Sequence, residues 1–251
     1  MLVLGHRGAP WEATENTLES FALARVAGAD GIELDVRLCA TGEVVCCHDV
    51  TLHRLAKCAA RVRATGWDVL RRYDLGRGAR LCTLDEALDL WSAHGVVNVE
   101  LKADDVDLPA LAEATVRVIE RARRCAVVVS SFDPAALEAV LHLRPRLARG
   151  QLVPPMARPA GQRVLAAMGR ARPHAIHPWH GDATPARVAA WRARGLDVHV
   201  WTVDNDVTAR ALREAGATSI ITNAPAAMLR SIGVERDDPR RGQIRDRLLQ
   251  R

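Results

Sequence analysis

The sequence predicts an α/β fold, a single (β/α)8 TIM barrel with a β-hairpin excursion after the second strand. Two observations carry this expectation. Eight short, β-branched apolar segments alternate with longer Ala/Leu/Arg segments of helical period, the pattern of repeated βα units on a parallel sheet. The length of 251 residues, with 49% hydrophobic and 26% charged residues, suits one such barrel around its own core.

In chain order the strand segments are 2–6, 31–38, 96–102, 126–131, 148–153, 175–178, 197–203 and 218–222. Helical periodicity fills 17–28, 83–94, 108–124, 134–143, 160–171, 184–194, 205–215 and 225–231. Thr83-Leu84-Asp85-Glu86 has the form of a capping box, with Thr83 as N-cap and Glu86 reaching back to it. An additional apolar segment, 43–48, follows the second strand after only Ala40-Thr41-Gly42. So short a link cannot make a parallel crossover, so the pair is predicted to be an antiparallel hairpin. With Thr41-Gly42 as a two-residue turn, His48 falls opposite Asp35, and the period of two sets Glu33, Asp35 and Arg37 on one face.

Residues 52–80 are Arg-rich and weakly periodic, with Gly66, Gly76 and Gly78, and are expected to form an excursion on the loop face. The barrel domain is assigned to 1–234. The Arg-rich remainder, 235–251, reads as a charged tail or terminal helix. No solenoid-length repeat or low-complexity tract is present.

The net charge of +5 comes from 35 basic and 30 acidic residues dispersed along the chain. Dispersed charge favours small anionic substrates and argues against nucleic acid as a partner. Lys57 and Lys102 are the only lysines in an otherwise arginine-based set. The six cysteines show neither CxxC pairs nor a disulfide framework, and are expected to be small core residues. Leu2-Val3-Leu4 enters the first strand without a signal-like segment, and no apolar run reaches membrane-spanning length. A cytoplasmic location without stable membrane insertion is the expectation.

Functional groups of such a barrel gather at the C-terminal ends of its strands. His6-Arg7-Gly8, Glu33-Leu34-Asp35, Glu100-Leu101-Lys102 and, through the hairpin, His48-Asp49 all fall there. Each has an ordinary explanation alone: a packed histidine, a solvated strand face, a structural ion pair. Together they describe a site. Glu33, Asp35 and Glu100 offer three hard oxygen donors, which suit a divalent cation such as Mg²⁺ or Ca²⁺. Arg7 and Lys102 can give charge-assisted hydrogen bonds to a phosphodiester, and His6 and His48 can transfer protons near neutral pH. Trp201, at a strand end, is a candidate for the substrate-pocket wall, with core packing as the alternative. His177, Trp179 and His180 follow another strand and either approach the leaving group or pack. Glu15 and Asn16 stand at a helix start, where capping is the simplest role.

The ordered set His6-Arg7-Gly8, Glu15-Asn16-Thr17, Glu33-Leu34-Asp35-Val36, His48-Asp49, Glu100-Leu101-Lys102, Ser131-Phe132, Trp201-Thr202-Val203 and Ile220-Ile221-Thr222 resembles that of glycerophosphodiester phosphodiesterases, over residues 1–231. The resemblance implies hydrolysis of glycerophosphodiesters to glycerol 3-phosphate and an alcohol. It also implies roles: His6 and His48 as the acid/base pair, Arg7 and Lys102 as phosphate ligands, and Glu33, Asp35 and Glu100 as metal ligands. In that family the substrate's own glycerol hydroxyl is thought to attack, through a cyclic phosphate that water then opens. Two departures stand out: Thr222-Asn223-Ala224-Pro225 has Asn where the family commonly has Asp, and Cys82 replaces the usual Pro before Thr-Leu. Neither removes a proposed catalytic group. Alternative activities are a lysophospholipase D or a phospholipase C-like phosphodiesterase, which an exposed apolar wall at the pocket mouth would favour, and a catalytically silent barrel that only binds. Residues 52–80 offer no amphipathic membrane helix, which favours water-soluble head groups.

Overall fold

The computed structural model describes residues 1–92, 95–122, 126–233 and 242–244. The ends of two predicted helices, Cys125 and most of the 235–251 tail lie outside the described residues. The first half comprises β1 (Leu2–His6), α1 (Leu18–Val26), β2 (Gly31–Leu38), β3 (Val44–Cys46), α2 (His53–Ala56), α3 (Trp67–Leu70), α4 (Leu84–Trp91), β4 (Val96–Leu101) and α5 (Leu108–Arg121). There follow β5 (Ala126–Ser131), α6 (Pro134–Leu143), β6 (Ala148–Val153), α7 (Pro159–Ala167), β7 (Ala175–Pro178), α8 (Pro185–Ala193), β8 (Asp197–Val200), α9 (Asp206–Glu214), β9 (Ser219–Thr222) and α10 (Pro225–Ser231).

All the strands except β3 run parallel in one sheet, and β1 pairs with both β9 and β2 to close it into the predicted barrel. Alternation decides which side chains go where. Ile32, Leu34, Val36, Val97, Val99, Val127 and Val129 point outwards into the helix layer. Each such side chain contributes roughly 1.5–3 kcal/mol on burial. Side-chain caps from Thr17, Thr83, Asp107, Asp133, Thr184 and Asn205 start the helices at the strand-end face, and the Thr83–Glu86 capping box is present.

The opposite faces of the strands fill the barrel. Leu2, Leu4, Val96, Ala126, Val128, Ala148 and Ile221 form an apolar plug in which Ile244 also packs. Above it the ladder registers bring His6, Glu100, Leu152 and Trp201, from alternate strands, into one inward-facing layer. His6, Glu33, Asp35 and Glu100 sit above this plug, towards the C-terminal ends of their strands, while Asn98, Ser130, His177 and His199 are further polar side chains buried within the strands.

The hairpin is present, but its predicted register is off by one. The ladder pairs Val36 with Cys46, Arg37 with Val45 and Leu38 with Val44, and it is the Cys47 N–H that donates to the Asp35 carbonyl (3.0 Å). Asp35 thus does not face His48. The cause is the turn: Gly42 N donates to Cys39 O (3.1 Å), Cys39 N donates to Glu43 O (3.0 Å), and Gly42 has φ +95°. Those contacts make a three-residue loop, Ala40-Thr41-Gly42, closed by a left-handed glycine, instead of the two-residue turn.

Residues 52–80 fold against the hairpin as short helical turns around Cys39, Val45, Cys47, Leu52, Val62, Leu70, Leu75, Ala79 and Leu81. Thr41 Oγ1 accepts from Trp67 N at 3.0 Å, which latches this excursion to the loop. Cys39, Cys46, Cys47 and Cys82 are free and buried, as expected of small core residues, whereas Cys58 is only half-buried, in the 52–80 excursion. Among the described residues no helix is long and apolar enough to cross a membrane.

Candidate active site

Three carboxylates converge at the top of the barrel. Glu33 and Asp35 come from the inner face of β2 and Glu100 from β4, and one ligand oxygen of each lies within 4.8 Å of the others. All three are buried, and Glu33 Oε1 has no hydrogen-bond partner. Burial, reinforced by the neighbouring Asp35, pushes the Glu33 carboxyl up to about 8. Glu100 rises to about 7 for the same reason, partly offset by Lys102. Burial would also raise Asp35, but Lys102 and Arg7 hold it below the ordinary range. Three buried carboxylates brought together are stabilised by positive charge, and this all-oxygen donor set fits a divalent ion.

Lys102 Nζ lies 2.6 Å from Glu100 Oε1 and 3.2 Å from Asp35 Oδ1. Burial would lower its pKa, but these two carboxylates raise it above the usual lysine value, so it is a fixed positive charge. Arg7 enters from the opposite side. Its backbone is left-handed (φ 53°), and the next residue, Gly8, has φ 93° and packs so closely on Ser20 that a Cβ would meet Ser20 Oγ at 2.3 Å. This turn aims Arg7 N at Glu33 Oε2 (3.1 Å) and brings Arg7 Nε to within 3.0 Å of Asp35 Oδ2. Asn16, also left-handed (φ 55°), donates from Nδ2 to Asp35 Oδ2 (2.8 Å) and accepts from Asp35 N (3.2 Å). Its role is to orient a carboxylate, beyond the helix-start role expected for it.

His6 and His48 line the same cavity, of ≈240 Å³, with Arg7, Glu33, Glu100, Lys102, Phe132 and Trp201. His6 Nε2 is 3.9 Å from Glu33 Oε2, while Nδ1 is 2.7 Å from Asn223 Oδ1. His48 Nδ1 is 2.7 Å from Asp49 Oδ1. Burial lowers the pKa of both rings; Arg7 adds to the effect at His6, and Asp35 opposes it at His48. His48 reaches the cavity even though the predicted pairing with Asp35 is absent, because β3 ends at Cys46 and the chain then leaves the ladder.

Trp201 joins the wall, donating from Nε1 to His177 O (2.8 Å) and meeting Phe132 edge-on at 5.4 Å. His177 is absent from that wall. It is buried inside the barrel, with its ring 4.7 Å from that of His199 and its Nε2 where a Cβ on Gly150 would stand. The rings of Trp179 and His180 lie 4.9 Å apart, tilted by 48° to one another. Sequence reasoning noted Asn223 only as a departure from the family pattern and left Asp49 and Arg54 without roles. Arg54 donates from Nε to Asp49 Oδ2 (2.7 Å) and from both Nη atoms to Glu15 (2.6 and 3.0 Å), and Glu15 pairs in turn with Arg7 (2.8 Å). Only the adjacency of His48 and Asp49 could have signalled one of these contacts in advance.

A sequence profile of the Glycerophosphoryl diester phosphodiesterase family matches residues 6–227. The glycerophosphodiester phosphodiesterase of Caldanaerobacter subterraneus subsp. tengcongensis is 30% identical over 237 residues, 91% of this chain and 96% of that protein. That of Bacillus subtilis (strain 168) is 26% identical over 249 residues, covering 90% of this chain and 84% of its relative. Among solved structures, an Oleispira antarctica phosphodiesterase in complex with the product sn-glycerol-3-phosphate is similar with a TM-score of 0.84 and 26% identity, over 93% of this chain and 97% of that one. With a barrel closed in the same way, and the matched region spanning every strand end of the site, this chain belongs to the glycerophosphoryl diester phosphodiesterase family.

Proposed function

We propose that this protein hydrolyses glycerophosphodiesters to glycerol 3-phosphate and an alcohol, with Glu33, Asp35 and Glu100 holding a divalent cation and His6 and His48 moving the protons. The observation that carries this reading is the shared cavity, in which a buried acidic triad, two imidazoles and two fixed cations face one another. All the triad donors are carboxylate oxygens, which favours Mg²⁺ or Ca²⁺ over softer metals. When bound, such an ion supplies positive charge against a phosphoryl oxygen.

The remaining work falls to the chain itself. Arg7 and Lys102 orient the anionic diester and stabilise charge that grows on its oxygens. One imidazole accepts the proton of the attacking glycerol hydroxyl while the other protonates the departing alkoxide. Water then opens the resulting cyclic phosphate, giving up a proton to the second imidazole while the first returns its proton to the glycerol oxygen. Trp201 and Phe132 give the cavity an apolar wall that keeps bulk water from the reacting oxygens.

A second groove favours another reading for the glycerol half of the substrate. A groove of ≈480 Å³ shares Glu100, Lys102 and Phe132 with the cavity and continues past Ala103, Pro134, Ala160, Val164 and Ala167. Such a surface accommodates an acyl chain on the glycerol half of the diester, as a lysophospholipase D substrate has, while the head-group alcohol leaves. The test is release of glycerol 3-phosphate from glycerophosphocholine, compared with release of choline from lysophosphatidylcholine, each with Mg²⁺ or Ca²⁺ and after chelation. Cation-dependent turnover of the first supports the main reading. A strong preference for the second transfers the assignment to lysophospholipids, and inactivity on both favours a binding protein.

A further inference from the structure

Three successive strands, β8, β9 and β1, end side by side at the barrel mouth. Just beyond the first two stand Asp204 and Asn223, and the third ends on His6. Both oxygens of Asp204 are directed at its neighbour: Oδ1 accepts from Asn223 N (2.7 Å) and Thr222 Oγ1 (2.9 Å), and Oδ2 accepts from Asn223 Nδ2 (2.7 Å). Asn223 Oδ1 then lies 2.7 Å from His6 Nδ1.

We propose that Asp204 and Asn223 are positioning residues that fix the tautomer and rotamer of His6. This inference rests on the acid/base role proposed for His6. The logic is one of donors and acceptors. An ionised carboxylate only accepts, so the Asn223 amide must turn its NH₂ towards Asp204 and its oxygen towards His6. An amide oxygen also only accepts, so His6 Nδ1 must carry hydrogen. In the neutral ring that leaves Nε2 bare, on the side that faces Glu33 and the phosphate cavity. Without Asp204 the amide can rotate by half a turn, present NH₂ to the ring, and stabilise the tautomer with Nε2 protonated and unable to take a proton.

The departure of Asn223 from the family's usual Asp gains a physical meaning from these contacts. A carboxylate at that position would accept directly from Nδ1. Here the negative charge stands one residue further out, and the amide passes on its directional information without placing a charge beside the imidazole. Tautomer control is retained through Asp204.

The experiment uses the full chain with saturating Mg²⁺ or Ca²⁺ and glycerophosphocholine as substrate. Asp204→Ala should lower kcat about 10- to 100-fold with little change in KM, the scale of misplacing a proton-transfer group that by itself supplies about 10²–10⁴-fold. Added to His6→Ala, it should cost less than about threefold more, since a positioning residue has nothing left to position. Imidazole ¹⁵N resonances of the substrate-free protein provide a readout that a general structural role would not move. The parent should show His6 protonated at Nδ1 near pH 8, and Asp204→Ala should show a tautomer mixture. Because Asp204→Ala also removes the contact to Thr222, a second variant guards against simple misfolding. The exchange Asp204→Asn with Asn223→Asp returns an acceptor to Nδ1 and should recover most of the kcat lost by Asp204→Asn alone. Equal losses from Asp204→Ala in the presence and absence of His6, or an exchange variant no better than Asp204→Asn, would overturn the inference. Should His6→Ala itself keep near-parental turnover, the proposed role of His6 fails as well, which distinguishes the two failures.

Discussion

Arg37 holds the backbone of His48: its Nε and Nη2 donate to the His48 carbonyl at 3.0 and 2.7 Å. Arg37 shares the inner face of β2 with Glu33 and Asp35, and its side chain is buried except for the guanidinium contact with Asp104. The strand that carries two of the acids therefore also anchors the loop that carries an imidazole. Arg37→Met should cost about 1.5–3 kcal/mol, the worth of hydrogen bonds to a charged group, as read from urea unfolding. It should also lower kcat in the manner of a displaced His48. Full activity in a folded Arg37→Met protein would show that His48 is held by other contacts.

Metal ligands and proton-transfer groups should separate under rescue. Alanine in place of Glu33, Asp35 or Glu100 should weaken cation binding, so part of the lost activity should return at high divalent-ion concentration. His6→Ala and His48→Ala should fall about 10²–10⁴-fold in rate and gain nothing from added cation. A nitrophenyl phosphodiester, whose leaving group needs no proton, should spare whichever histidine is the acid. Steady-state kinetics over a cation titration measures all of these outcomes.

Arg54 links Asp49, the partner of His48, to Glu15, the partner of Arg7. It is about half exposed, so Arg54→Ala should leave stability nearly unchanged, within about 1 kcal/mol. Its effect should be kinetic, a rate reduction of about tenfold from looser orientation of His48 and Arg7. Lysine at this position keeps the charge but lacks the fork that spans both carboxylates, and should recover only part of the loss. A melting temperature that drops by many degrees would instead make Arg54 a structural brace.

The acidic triad makes stability depend on pH in a direction that a cation reverses. Glu33, raised from an ordinary value of 4.5 to about 8, holds its proton longer in the folded protein than in the unfolded chain. Between those values the folded state binds more protons, so its stability falls as pH rises towards 8. The comparison is between chelated parent and chelated Glu33→Gln, whose difference removes the other titrating groups. The parent's melting temperature should decline relative to the variant from pH 6 to 8, and added Mg²⁺ or Ca²⁺ should restore it most at the upper end. A difference independent of pH would mean that Glu33 is ionised throughout.

The sequence by itself determined the barrel and the identity of the acidic and imidazole groups. Period-two and helical-period patterns are local properties, and they located every strand and helix of the barrel among the described residues, because burial on one face of an element leaves its trace in neighbouring positions. Strand-end motifs such as Glu33-Leu34-Asp35 and Glu100-Leu101-Lys102 were legible for the same reason. The tertiary structure decided which of these groups meet, and with what support. A single extra residue in the Ala40-Thr41-Gly42 loop shifted the hairpin register, and the His48 carbonyl accepts from Arg37, a contact between residues that no periodicity relates. The pairing of His6 with Asn223, 217 positions apart in the chain, depends on barrel closure between β1 and β9. Such contacts belong to side-chain geometry across strand ends, and only the closed barrel brings those ends together.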